Sequence, residues 1–207
     1  MKKRAKARLF GIGSTFLLLA FAAPAVPQQL VHAKVAIQVV SNGKVTTARS
    51  KDKLAKGDKL RLYIEPQEEM FLYVVHTDQN ATGLLAKTNT SATAASELVV
   101  LPSESEYYEI DGNSSFEQIT IICAKKRQPK IEALFSENAP SLAAWQETEL
   151  ALLQQYQIDL NESTDKPFGI AGNVRNLGDE SSSIIEQMIM YSGKSMVIKR
   201  YEFRVKK

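Results

Sequence analysis

Gly57-Asp-Lys-Leu-Arg-Leu-Tyr-Ile-Glu65, Pro66-Gln-Glu-Glu69 and Met70-Phe-Leu-Tyr-Val-Val-His76 run consecutively in this chain. They read as a strand, a turn and a second strand. In the first part Leu60, Leu62 and Ile64 alternate with Lys59, Arg61 and Tyr63. Side chains on a strand point to opposite faces with a period of two, so the pattern predicts one apolar and one wet face. Gly57-Asp58 supplies a turn before the strand, and Pro66 has no N–H to give a ladder beyond it. Met70 to Val75 is almost continuously apolar, rich in aromatic and β-branched residues, and bounded by turn residues. That composition predicts a strand buried on both faces.

Outward from this pair the signals stay short and β-like. Upstream, Lys34 to Val40 and Val45 to Ala48 read as strands around Asn42-Gly43, a pair suited to a two-residue hairpin turn. Ser50 to Lys56 reads as a charged connection. Downstream, Asp78 to Gly83 reads as a turn, and Leu84–Ala86, Glu97–Leu101, Tyr107–Ile110 and Phe116–Cys123 as strands, with the polar run Lys87 to Ser96 as a loop. In the last of these strands Phe116, Gln118, Thr120 and Ile122 share one face, and Glu117, Ile119, Ile121 and Cys123 the other. The pattern changes at Pro129. Ser141 can cap a helix from Leu142 to about Gln157, with Leu142, Trp145, Leu152 and Tyr156 near one face. A long loop spans Asn161 to Asp179, and Ile184–Tyr191 and Ser195–Val205 read as a closing hairpin. The expected fold is mainly β: an antiparallel sandwich with one helix in the C-terminal half and a final hairpin. The expected division is a leader over 1–33, a sandwich over 34–135, and the helix and hairpin over 136–207, packed on the same domain.

Residues 1–33 carry five basic residues and no acidic one, followed by an apolar run from Leu9 to Ala23. This is the pattern of an export leader. Val31-His-Ala33 offers a cleavage site before Lys34, and a second site follows Ala23 or Ala25. The run of about 15 apolar residues is shorter than the ~20 that span a bilayer, so no transmembrane segment is expected after cleavage. Taking the five basic residues from the total of 26 leaves 21 against 23 acidic ones. The apparent net charge of +3 belongs to the leader, and the folded part has no electrostatic case for nucleic acid. The expected location is the periplasm of a bacterial envelope, with full secretion as the alternative. A single cysteine, Cys123, excludes an intramolecular disulfide.

From Gly57 to Lys130 the order of features resembles a bacterial family, domain of unknown function 4384. The residues that carry the likeness are Gly57-Asp-Lys-Leu, Phe71-Leu-Tyr-Val-Val, the Asp78–Gly83 turn, Leu84-Leu85 with Asn89, Val99-Val-Leu-Pro102, and Glu117 leading into Ile119-Thr-Ile-Ile. The sequence departs from the family at Ala86-Lys-Thr88, where an apolar residue and proline are expected before the asparagine, and at Ser115-Phe116, which stands in place of a glycine. The resemblance implies a non-catalytic β-rich accessory domain and carries over no active-site residue.

The residues themselves offer little chemistry. Cys123 ends an apolar run and reads as a small core residue. His76 ends a strand, and a metal site of one His and one Cys is not expected. Asp78 to Asn89 has an asparagine where a calcium loop needs a bidentate glutamate, so a turn is the better reading. No cofactor is expected. Glu104, Glu106 and Glu109 read as a solvated surface. Candidate interface residues are Tyr63, Tyr107 and Tyr108, because tyrosine is enriched at interfaces, and Lys199, Arg200 and Arg204 on the basic closing hairpin. The alternative for those basic residues is edge-strand protection. The leading expectation is a non-catalytic binding or adaptor protein for another envelope protein, which predicts an apolar patch or open strand edge. The alternatives are a carbohydrate-binding module, with Tyr63, Trp145 or Tyr107 lining a groove, and a hydrolase with its site near His76 and Asp78.

Overall fold

A computed structural model describes residues 30–88, 93–137, 139–155 and 184–206. The strands, in chain order, are β1 (Val31–Ser41), β2 (Lys44–Thr47), β3 (Lys53–Ala55), β4 (Lys59–Pro66), β5 (Phe71–Asp78), β6 (Thr82–Lys87), β7 (Val99–Leu101), β8 (Tyr108–Glu109) and β9 (Phe116–Ala124). Helices α1 (Pro129–Leu134) and α2 (Leu142–Gln155) follow, then β10 (Ile189–Gly193) and β11 (Met196–Lys206). Six strands form one sheet along the path β10-β1-β4-β7, with β2 beside β1 and β8 beside β4. Five form the other, in the order β3-β11-β9-β5-β6. The mainly β, two-sheet architecture expected from the alternation is present.

The inner faces meet in one core. Val35, Ile37, Leu60, Leu62 and Ile64 from the six-stranded sheet pack with Leu72, Val74, Ile119, Ile121, Cys123, Val197 and Phe203 from the five-stranded one. The strand pair that opens the sequence reading is therefore not a hairpin. β4 pairs with β1, β7 and β8, whereas β5 pairs with β6 and β9. Residues 67–70 carry the chain from one sheet to the other, so Leu62 and Val74 enter the same core from opposite sides. Asn42 and Gly43 take positive φ angles of 50° and 74°, as a type I′ hairpin turn needs, and join β1 to β2 in an antiparallel ladder.

The outer face of the five-stranded sheet is covered by the helices. Tyr73, Val75, Ile122 and Met196 pack with Ile131, Trp145 and Leu152 in a second core. β5 is thus buried on both faces, as its unbroken apolar run predicts. Ser141 caps α2: its Oγ accepts from the Ala144 N–H at 3.2 Å. Helix α1 is an addition to the expected elements. It begins at Pro129, whose missing N–H is harmless in a first turn. It is anchored by Tyr73, whose hydroxyl donates to Glu132 Oε1 at 2.8 Å and accepts from the Gln128 N–H at 3.0 Å.

The last two strands also divide between the sheets. β10 pairs with β1, while β11 lies between β9 and β3. The closing hairpin is therefore a sheet-to-sheet crossing, and its second strand is interior to a sheet. The charged connection 50–56 contains β3, which runs parallel to β11 from Arg204 to Lys206.

Candidate functional site

Most sheet edges of this fold carry a charge or a proline. β2 contains Lys44, β3 contains Lys53, β6 contains Lys87, β8 contains Glu109, and the three-residue β7 is followed by Pro102. Such residues discourage pairing with a further strand. β10, Ile189-Met-Tyr-Ser-Gly193, has no charged residue. It pairs with β1 on one side, with Val31 opposite Gly193 and Val35 opposite Ile189. Among the described residues no strand lies on its other side.

The same edge gathers the exposed apolar surface. Among the described residues, five large hydrophobic side chains are exposed. Ile189 and Met190 lie on β10 and are 45% and 52% exposed; Ile185 lies just before it at 40%. Leu30 adjoins Val31 at the far end of the β10 ladder, and Leu150 is on α2. Successive residues of a strand face opposite ways, so Ile189 and Met190 present apolar groups on both faces of this edge. Local contacts hold the edge in place. Ile184 is buried against Ala36 and Tyr63, and Thr47 Oγ1 donates to Gln187 Oε1 at 2.6 Å. On β10 itself, Ser192 Oγ and His32 Nδ1 are 2.7 Å apart.

The six candidate interface residues do not share one surface. Tyr63 is 2% exposed, with its hydroxyl donating to Gln38 Oε1 at 3.0 Å. The wet face expected for β4 is instead covered by Ile184, Leu98, Val100 and Met188, which alternation along one strand cannot show. Arg61 is likewise buried, stacked 3.8 Å from the centre of the Tyr107 ring, with its Nε donating to Glu106 O at 3.0 Å. Tyr107 and Tyr108 line a shallow hollow of ≈ 520 Å³ with Lys59, Pro102, Ser105 and Glu106. Burial raises the Tyr108 phenol above its ordinary pKa. Lys199 projects between the rings of Tyr191 and Tyr201, at 4.8 and 5.0 Å. Arg200 points the other way, toward Glu149 and Glu202 on the helix side. Arg204 is exposed and pairs in the ladders with Phe116 and Lys53. Edge protection does not describe these basic residues, because β11 is flanked by β9 and by residues 50–55; Lys51 N–H donates to Glu202 O at 2.7 Å.

His76 Nε2 lies 2.5 Å from Glu117 Oε2, and Asp78, two residues along β5, is the ladder partner of Glu117. Asp78 Oδ1 accepts from the Asn80 and Ala81 N–H groups, both at 2.6 Å, and so closes its own turn. Cys123 is fully buried, and desolvation pushes its thiol up to about 12. It pairs with Leu72, whereas His76 pairs with Ile119, an offset of four residues or about 13 Å along the strands. Trp145 is fully buried and Tyr63 nearly so, so they do not form a flat aromatic platform with Tyr107. Among the described residues no group of three or more His, Cys, Asp or Glu side chains lies close enough to hold a metal ion, and no helix is long and apolar enough to cross a membrane.

His32 belongs to β1 and faces Ser192, so the folded body holds two histidines where cleavage before Lys34 would leave one. The strand expected over Ile184 to Tyr191 overlaps β10, but residues 184–186 are helical and the strand pairs with β1 rather than forming one arm of a hairpin. Its lack of any charge after Glu186 was legible in the sequence. No protein-family model matches the chain, and no curated protein and no solved structure matches it significantly.

Proposed function

We propose that this chain is an exported, non-catalytic binding protein of the bacterial envelope. It engages an extended segment of another envelope protein, which adds as a strand beside β10. One observation carries the reading: β10 is an edge of the six-stranded sheet with no charge and with Ile189 and Met190 exposed on its two faces. An incoming strand would gain main-chain hydrogen bonds from β10 and side-chain contacts with those two residues. The resemblance between Gly57 and Lys130 supports a non-catalytic role, and the basic, then apolar N-terminus supports export. The alternative of a hydrolase draws no support from Cys123, which is buried in the core.

The reading is tested by placing a photo-crosslinking residue at position 190 of the tagged chain in living cells, with Glu147 on α2 as the control position. The expected result is one dominant envelope protein captured at 190 and not at 147, and loss of that capture in Ile189→Lys. No capture at 190, or capture indifferent to the charge, would overturn it. Cell fractionation tests export separately; a cytosolic full-length chain would remove the envelope partner.

A further inference from the structure

Between α2 and the outer face of the five-stranded sheet lies a cleft of ≈ 680 Å³. Small-molecule sites fall in the range of about 300–1,000 Å³. Its floor is a band of polar residues on an otherwise apolar sheet face. In the ladders Thr77 pairs with Gln118, and Gln118 with Glu202; Thr120 pairs with Arg200. Its lip is apolar: Leu142, Leu150 and Leu153 from the helix, and Phe116 from β9. Leu150, 55% exposed, is the one large exposed hydrophobic among the described residues that lies away from the β10 edge.

Glu149 projects from α2 into this band and is 5% exposed. Its Oε1 accepts from Thr120 Oγ1 at 2.6 Å and from Gln118 Nε2 at 3.0 Å. Arg200 stands 3.5 Å from Oε2, at the limit of a hydrogen bond, and its other nitrogen is 2.9 Å from Glu202. With Asp78 at the rim, two carboxylates line the cleft against one guanidinium that is shared with a third.

A separate observation points to a missing partner. Thr77 lines the cleft, is 97% buried, and its Oγ1 has no hydrogen-bond partner. Gln118 spends its Nε2 on Glu149 and Thr120. Buried polar groups are nearly always paired, and leaving one unpaired costs about 1–3 kcal/mol. The unpartnered Thr77 hydroxyl can accept a hydrogen bond, and the carboxylates around it outnumber the guanidinium. Such a site calls for a cationic donor.

The geometry points to a ligand site for a small organic ammonium ion with an apolar body. The ammonium sits among Glu149, Gln118 and Thr77, and the apolar body lies against Leu142, Leu150, Leu153 and Phe116. This site lies on the sheet that does not contain β10 and does not depend on the edge reading.

The test is calorimetric titration of the purified chain with phenethylammonium, phenethyl alcohol and phenylpropionate, which share a body and differ in the head. Saturable binding of the ammonium, weaker binding of the alcohol and none of the carboxylate is the expected order. Glu149→Gln should weaken the ammonium at least about tenfold, the effect of a lost charged hydrogen bond. If that variant unfolds, Leu150→Ser keeps the test open, since its side chain is exposed: affinity falls severalfold with the melting midpoint unchanged. Absence of ammonium binding at millimolar concentration, equal binding of the carboxylate, or affinity unchanged in both folded variants would overturn the assignment.

Discussion

Gly193 shows how narrowly one residue can be constrained. A Cβ at this position would lie 1.9 Å from the Met196 carbonyl oxygen, because the chain turns there from one sheet into the other. Gly193→Ala should therefore destabilise the fold by about 1–3 kcal/mol, the range for forced overpacking. Gly83→Ala is the control, since nothing lies within 4 Å of its Cβ position. Urea denaturation of both variants checks this; equal midpoints would show that the β10–β11 crossing relaxes freely. Glu149 makes the opposite point. A glutamate on a helix reads as solvated, yet Trp145, Glu149 and Leu152 are the buried residues of α2. They recur at i, i+4 and i+7, the spacing of one helix face. The spacing was legible; the polar floor that receives the carboxylate, Gln118 and Thr120, was not, because it comes from a strand about 30 residues earlier.

At the scale of an element, α1 is a six-residue helix too short to hold itself together. Its anchor is polar. Arg127 donates to both oxygens of Glu132, and Tyr73 adds its hydroxyl. The Arg127 hydrogen bonds, then the Tyr73 hydrogen bond, hold the Glu132 carboxyl below its ordinary range. In the unfolded chain Glu132 titrates near about 4.3, so the folded state binds fewer protons between the two values. Its contribution is whole above the unfolded value and is lost as pH falls through the folded one. The unfolding midpoint of the native chain should exceed that of Glu132→Gln at neutral pH, and the gap should close on acidification. Trp145 fluorescence is the readout, since its ring centre is 5.7 Å from that of Phe135 at the end of α1. A gap independent of pH would mean that the carboxylate does not clamp the helix. Burial, above all, raises Tyr73 to about 12, so this phenol should remain protonated through mild alkali.

For the whole molecule, the decisive strands are the first and the last. Val31 and Ala33 are fully buried in the main core and pair with Gly193 and Tyr191. Cleavage before Lys34 would remove both. A cut at the alternative site after Ala25, in Ala23-Pro-Ala25, would leave β1 whole. A chain beginning at Lys34 should be less stable than one beginning at Val26 by at least about 2 kcal/mol, the burial of one valine with its ladder. Thermal melts of the two check this, and N-terminal sequencing of the cell-derived protein checks the cut.

What the sequence determined by itself was local. Alternation at Leu60–Ile64 and Phe116–Cys123 placed strands, the unbroken run at Met70–Val75 marked a strand buried on both faces, Asn42-Gly43 set a hairpin, and Ser141 began a helix. Each rests on φ/ψ preference or on the two-residue and 3.6-residue periods of neighbouring side chains. Pairing was decided only by tertiary structure. Strands adjacent in the chain, β4 with β5 and β10 with β11, went to opposite sheets because each pair must bury apolar faces against the other across one core. The same packing buried Tyr63 under Ile184, separated His76 from Cys123, and left β10 as an uncharged edge. A side chain's period is written in its neighbours, but its cover comes from residues far along the chain.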